Sequence, residues 1–409
     1  MSQPRVVVTG MGGVTALGDS WSEVEKRLRA RRNAVERMGE WDRYEMMHTR
    51  LAAPVKHFEA QAYYPRKATR SMGRVSLLAL RATELALQQA GLRNDPEISD
   101  GRMGIAYGSA AGSIEPVRVF GHMLDTGSMQ GVTSTTYIQM MPHTAAVNVS
   151  LYFGLKGRVI PTSSACTSGS QAIGYAYEAI RAGREPMMVA GGAEELSAPG
   201  AAVFDTLFAT STKNDAPSST PRPFDKKRDG LVVGEGAATL VLEDLEHARA
   251  RGATPLAEIV GFATNSDGMH VTQPDDKQQA RAMSMALADA GISASAIGYV
   301  SAHGTATDRG DVAEARATAN VLGDSVPVSS MKSYIGHTLG ACGAIEAWWM
   351  IEMMRNKWFA PTINLETPDP ECEIINLLRG DGGSLDIEYA MKNNFAFGGI
   401  NTSLVFRRI

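Results

Sequence analysis

The sequence predicts an α/β protein made of two duplicated halves, and three observations carry that prediction. The chain has 409 residues, more than one hydrophobic core ordinarily holds. Short apolar, strand-like runs alternate with amphipathic helical patterns along its length. The order of these segments in residues 1–250 is repeated in 251–409, as expected of two copies related by a pseudo-twofold.

In the first half, residues 5–9 read as a buried strand ending in a Gly-rich turn, Gly10-Met11-Gly12-Gly13. A helix over 20–31 and a polar, aromatic stretch lead to a long amphipathic helix over 76–90, closed by Gly91. A strand over 103–107 ends in the turn Gly108-Ser109-Ala110-Ala111-Gly112, and the small and hydroxyl residues around Cys166 open a buried helix. Strands over 187–190 and 236–243 close the half.

The second half repeats the plan with a strand over 257–263, a helix over 278–290 closed by Gly291, and a strand over 297–301 that runs into Ala302-His303-Gly304-Thr305-Ala306-Thr307. The segment Ser333 to Gly340 leads into a helix over 341–355, and a strand over 402–406 ends the plan. Two helix-covered sheets are expected, with Cys166 and His337 at equivalent helix starts facing one pocket.

Composition narrows the function. With 44% hydrophobic and 21% charged residues the chain has the make-up of an ordinary soluble protein, and its net charge of -4 gives no general attraction to nucleic acid or membrane. The three cysteines, Cys166, Cys342 and Cys372, lack metal-ligand spacing, so neither a disulfide framework nor a metal site is expected, and a reducing cytoplasm fits. No run is long enough for a signal-peptide core or a membrane span. A thiol at a helix N-terminus is expected to have a lowered pKa, and the free N–H groups there can hold an oxyanion.

Five motifs in order carry a resemblance: Thr162 to Gly169 around Cys166, Arg222-Pro223-Phe224-Asp225 with Arg228-Asp229-Gly230, Ala302 to Thr307, Lys332 to Gly343, and Asn394-Phe395-Ala396-Phe397-Gly398-Gly399-Ile400-Asn401. Together they resemble the β-ketoacyl-[acyl-carrier-protein] synthases, in particular the type II elongating branch. The resemblance implies a thiolase-like five-layered αβαβα fold, acyl carrier protein as partner, and a homodimer, with a heterodimer beside a related synthase-like subunit as the alternative. No cofactor is implied beyond the phosphopantetheine that the carrier protein brings.

The resemblance also implies roles in a decarboxylative Claisen condensation. Cys166 would hold the acyl group, and His303 and His337 would donate hydrogen bonds to the malonyl thioester. Lys332 and Glu346 would pair to orient the site. The backbone N–H groups of Cys166 and Phe397 would form an oxyanion hole, with Phe397 a gate freed by Gly398 and Gly399. Thr305 and Thr307 would bind the phosphopantetheine arm, and Ser266, Asp267 and His270 would lie at the tunnel mouth. Arg66, Lys67, Arg70 and Arg74 form a basic cluster suited to an acidic carrier protein. Ala111, where relatives commonly carry a bulky Ile, and Met140 with Met141, where aromatics are frequent, suggest a pocket for a wide, unsaturated or aryl acyl chain.

Two other classes compete. A degradative thiolase uses a second cysteine as base, yet neither Cys342 nor Cys372 lies in the Gly-rich C-terminal motif, and Cys342 reads as packing. A non-catalytic chain-length-factor partner lacks the nucleophile that Cys166 supplies here. His48, His57, His122, His143 and His247 read as structural residues.

Overall fold

The computed structural model describes residues 3–409. Eleven strands join into one mixed sheet. In chain order they are β1 (Val6–Thr15), β2 (Met103–Gly108), β3 (Val159–Thr162), β4 (Met187–Glu194), β5 (Gly236–Asp244), β6 (Ala257–Ser266), β7 (Ile297–Ser301), β8 (Pro327–Ser329), β9 (Asn376–Leu377), β10 (Tyr389–Ala396) and β11 (Ile400–Arg407). Across the sheet they run β9-β8-β7-β10-β11-β6-β1-β5-β4-β2-β3.

Outward from the centre, β1-β5-β4-β2-β3 and β6-β11-β10-β7-β8 repeat one another. In both runs the first two pairings are antiparallel and the next two parallel. The duplication is therefore present in strand order and in strand sense. The expected pair of separate sheets is instead one ladder, because β1 and β6 pair antiparallel through Val6–Ile259, Val7–Glu258 and Val8–Ala257. Both strands lie at the pseudo-axis, where the open edge of each offers backbone groups that the other satisfies.

Three apolar clusters mark the layers. The largest surrounds the helices Ser168–Arg181 and Cys342–Asn356, buried between the two halves of the sheet and contributing Ile173, Ile180, Ile345 and Trp349. A second packs the helices Arg74–Gln89 and Thr144–Phe153 on the outer face of the first half. The third does the same in the second half with Asp276–Ala290 and Asp308–Leu322. Helices, sheet, helices, sheet and helices make five layers. Among the described residues no helix is long and apolar enough to cross a membrane.

Two expectations need correction. Gly10, Gly12 and Gly13 do not form a turn but lie within β1, all buried. They are small because the neighbouring helices approach closely: a Cβ on Gly10 would sit 2.2 Å from the Ala86 carbonyl oxygen, and one on Gly13 would sit 2.3 Å from the Trp348 ring. The helix-start equivalence also shifts. The single 3-10 turn Ala165–Thr167 before Ser168–Arg181 corresponds to Leu339–Ala341 before Cys342–Asn356, and Ala165 and Leu339 share a left-handed φ of 50° and 46°. Cys166 thus corresponds to Gly340, with His337 three positions upstream of it.

The Arg222 to Gly230 motif supports the loop after β7. The Phe224 N–H donates to Asp311 at 2.7 Å, the Gly230 N–H donates to the Ala306 carbonyl at 3.0 Å, and Arg228 pairs with Asp369 at 2.6 Å.

Candidate active site

β3 carries the chain to Ser164, and Ala165 then turns it with its left-handed backbone. Such a conformation costs a non-glycine residue on the order of 1 kcal/mol and persists only where neighbours hold it. Here Ser168 Oγ donates to the Ala165 carbonyl at 2.7 Å and Thr167 Oγ1 to the Ser164 carbonyl at 2.8 Å. The turn sets the Cys166 thiol on the floor of a cavity of about 420 Å³ that opens past Phe208, Val271 and Arg309.

The second half supplies the histidines. His303 follows β7, where Glu314 accepts the backbone N–H groups of His303 and Gly304 at 2.7 and 2.6 Å. His337 is fixed by its N–H to the Val232 carbonyl at 2.7 Å and by its carbonyl to the Gly234 N–H at 2.9 Å. The Cys166 sulfur and one ring nitrogen of each histidine lie within 4.8 Å of one another. The imidazoles stand edge to face, with centroids 5.1 Å apart.

The hydrogen bonds assign the tautomers. The Leu339 N–H donates to His337 Nδ1 at 3.2 Å, so His337 carries its proton on Nε2, 2.9 Å from Cys166 Sγ. Asn394 Nδ2 donates to His303 Nδ1 at 3.2 Å, which likewise leaves the His303 proton on Nε2. Burial, reinforced by the charges of Lys332 and Lys392, holds both imidazoles well below their usual pKa, so both are neutral donors near pH 7.

Cys166 departs from expectation. Burial pushes its thiol up to about 11, although the Phe397 and Cys166 backbone N–H groups and Lys332 all pull it down. Desolvation of a thiolate outweighs the helix terminus here, and the sulfur rests as a thiol. The two N–H groups that favour negative charge at the sulfur are those expected to form the oxyanion hole.

Lys332 and Glu346 meet at 2.5 Å, both buried. Sequence reasoning missed their third partner, Lys392 of β10, 2.7 Å from the other oxygen of Glu346. The run Lys392-Asn393-Asn394 inside an otherwise apolar strand was its only signal. Glu194 was missed as well; it accepts from Ser109 Oγ and from the Ala110, Ala111 and Gly340 N–H groups. Burial pushes Glu194 and Glu314 up to about 7 each. Cys342 packs beneath the nucleophile, its thiol donating to the Cys166 carbonyl at 3.2 Å.

Of the other expected residues, Thr305, Thr307, Asp267, His270, Phe397 and Gly399 line the cavity. Thr305 and Thr307 share a hydroxyl contact at 2.9 Å, and Phe397 packs edge-on against Phe204 with centroids 5.7 Å apart. The Gly398 N–H donates to the Val271 carbonyl at 2.9 Å, clasping the two loops of the mouth. Ser266, Ala111 and Met141 are not brought to the cavity. Ser266 ends β6 facing solvent, and the Ala111 turn lies beside the open edge strand β3, held there by Glu194.

Arg66, Lys67 and Arg70 are exposed, but Arg74 leaves the basic cluster. Its guanidinium forks onto Glu235 at 2.5 and 3.0 Å and bonds the Val55 carbonyl, so its charge is matched internally. His48, His57 and His247 pair with Asp205, Asp19 and Glu243 outside the cavity.

Residues 3–248 match the beta-ketoacyl synthase N-terminal domain and residues 256–366 its C-terminal domain. The chain is 39% identical to a 3-oxoacyl-[acyl-carrier-protein] synthase 2 of Vibrio cholerae serotype O1 over 100% of both chains. It is similar to the crystal structure of a beta-ketoacyl synthase from Burkholderia phymatum STM815, at 66% identity and a TM-score of 0.98 over 99% of this chain and 100% of that one. A type II polyketide ketosynthase, solved in complex with its acyl-carrier protein and bound to the hexaketide, matches at 32% identity and a TM-score of 0.87 over 100% of both. On these matches, which span the length of the chain and of its relatives, the chain belongs to the β-ketoacyl synthase family of acyl-transferring condensing enzymes.

Proposed function

We propose that the protein elongates an acyl chain by decarboxylative condensation with malonyl-acyl carrier protein, Cys166 holding the growing chain. The observation that carries this is the placement of Cys166 Sγ and both neutral histidines at the inner end of one cavity. In the first step the sulfur attacks the acyl thioester, and its proton leaves with the departing carrier thiol. The His337 Nε2–H steadies the charge that develops on sulfur.

Once Sγ is acylated, the Nε2–H groups of His303 and His337 are free for the malonyl thioester carbonyl. Loss of CO2 leaves its bonding electron pair as an enolate, whose oxygen the two donors stabilise. The enolate carbon forms a bond to the acyl carbonyl carbon, whose oxygen is held by the Cys166 and Phe397 N–H groups, and the C–S bond breaks to return the pair to sulfur. Neutral donors suit this chemistry because a neutral imidazole N–H is too weak an acid to protonate the enolate that it holds, as an imidazolium would.

The carrier's phosphopantetheine arm would enter past Thr305 and Thr307, with Arg66, Lys67 and Arg70 meeting an acidic carrier surface. Supporting this, the ketosynthase solved with its acyl-carrier protein shares the fold throughout. An inactive partner subunit is not favoured, since the nucleophile and both histidines are present and engaged. The edge strand β3 leaves Val159 42% exposed and its outer backbone unpaired, which suits antiparallel pairing with a second copy. That homodimer would cover the Ala111 turn; since Ala111 and Met141 lie outside the cavity of one subunit, a wide, unsaturated or aryl chain would have to extend to that boundary to meet them.

Mass spectrometry after incubation with acyl-carrier proteins tests the reading: the acyl mass is expected on Cys166 and absent from Cys166→Ala. Elongation of carrier-bound chains of graded width tests the pocket. Turnover confined to ordinary saturated chains would refute the wide pocket.

A further inference from the structure

Lys392 has no role in the condensation just described, yet it is the most deeply buried cation of the site. Its side chain is 0% exposed, and three oxygens hold its ammonium: Glu346 Oε2 at 2.7 Å, the Asn393 carbonyl at 2.6 Å and Asn394 Oδ1 at 2.8 Å. Lys332 takes the remaining oxygen of the same carboxylate. Two ammonium groups thus share one carboxylate in a region where an unmatched charge is costly. The nearby Glu314 is engaged with the His303 and Gly304 N–H groups, and the other titratable neighbours are Cys342, His303 and His337.

Asn394 shows what the excess charge does. A side-chain amide has one accepting and one donating end, and Lys392 together with Ser170 claims the accepting end. Nδ2 is thereby turned towards His303 Nδ1, with Glu346 Oε2 at 3.3 Å on the same side. Without the ammonium only Ser170 and Glu346 Oε2 still hold the amide, which can then turn over more readily and present Oδ1 to His303. The imidazole would then move its proton to Nδ1, and a bare Nε2 would face the thioester oxygen.

We propose that Lys392 is a positioning residue for the condensation: by fixing the Asn394 amide it locks His303 as an Nε2–H donor, and its charge acts on both imidazoles. The inference rests on the decarboxylative reading above. The lowered pKa of both histidines, to which Lys392 contributes, agrees with it.

The test compares the full-length protein with Lys392→Met in two half-reactions, acylation of Cys166 and CO2 release from malonyl-carrier protein. Acylation is expected to stay within about threefold, while CO2 release falls roughly tenfold or more, as for loss of a charge-assisted hydrogen bond. The acid limb of the remaining CO2 release should move to higher pH, because removing a neighbouring cation makes an imidazole easier to protonate. Histidine 15N NMR should show the Nε2-protonated form of His303 in the wild type and its loss in the variant.

An unmoved acid limb with an unchanged tautomer overturns the proposal, as does a common loss in both half-reactions. If Lys392→Met does not fold, Asn394→Leu is expected to give the same split with Lys392 in place, and normal CO2 release by that variant overturns the proposal equally. A wild type that releases no CO2 refutes the condensation itself, while the tautomer measurement still decides the role of Lys392.

Discussion

The two histidines are expected to fail differently when each is truncated, because only one of them touches the sulfur. His337 Nε2 lies 2.9 Å from Cys166 Sγ, whereas the polar contact of the His303 ring is with Asn394. A hydrogen bond to a charged group contributes about 1.5–3 kcal/mol, roughly ten- to 150-fold in rate. His337→Ala should therefore slow acylation of Cys166 by that range, and His303→Ala should leave acylation within about threefold. In decarboxylation both lose one donor to the enolate oxygen, and each should lower CO2 release about 10²- to 10³-fold. Timed mass spectrometry of the acyl-enzyme and CO2 release from malonyl-carrier protein measure the two steps separately. Equal acylation defects, or a larger one in His303→Ala, would refute the assignment of His337 as the sulfur's donor.

Other outcomes follow from the same geometry. Both imidazoles are held neutral well below pH 6.5, so CO2 release should keep its plateau under that value, which a pH profile checks. Glu346→Gln leaves Lys332 and Lys392 buried without their carboxylate, at a cost of about 3–5 kcal/mol read as a lower urea midpoint. A lysine pKa depressed in the folded state means that the unfolded chain binds more protons. The deficit should therefore shrink as pH rises towards about 10, where unfolded lysines also lose theirs. Gly10→Val drives a side chain into the Ala86 backbone and should cost about 1–3 kcal/mol or more in denaturant unfolding. Charge reversal of Arg66, Lys67 and Arg70 should raise KM for carrier-bound substrate in a salt-dependent way and spare kcat. The same change at Arg74 should lower stability instead, by stranding Glu235.

Much of the layout was legible in the chain because it is local. Apolar periodicity places the helices Arg74–Gln89 and Asp276–Ala290, and Gly91 and Gly291 follow them with the left-handed φ of +73° and +66° that a helix end favours. What was misread depends on partners far along the chain. Arg74 looks like a free surface charge until Glu235, 161 residues away, accepts its guanidinium. Gly10 to Gly13 look like a turn because glycine density marks turns, while the helices that require them, Arg74–Gln89 for Gly10 and Gly12 and Cys342–Asn356 for Gly13, lie far along the chain. The Cys166 pKa was misjudged for a related reason: the helix end is visible in sequence, but the burial that outweighs it depends on segments far along the chain, among them His337 and Cys342, which contact Cys166 directly.

The pairing of Cys166 with Gly340 explains why a twofold molecule has a single reactive centre. A side chain at Gly340 would press on the Ala110 nitrogen at 2.6 Å and on Glu194 at 2.7 Å, so the mirror position has no room for a nucleophile. Of the two equivalent elbows, one holds the sulfur and the other is bare backbone packed against Glu194 and the Ala110 turn. A second thiol engineered there would have to displace Glu194 and the Ala110 turn that it holds.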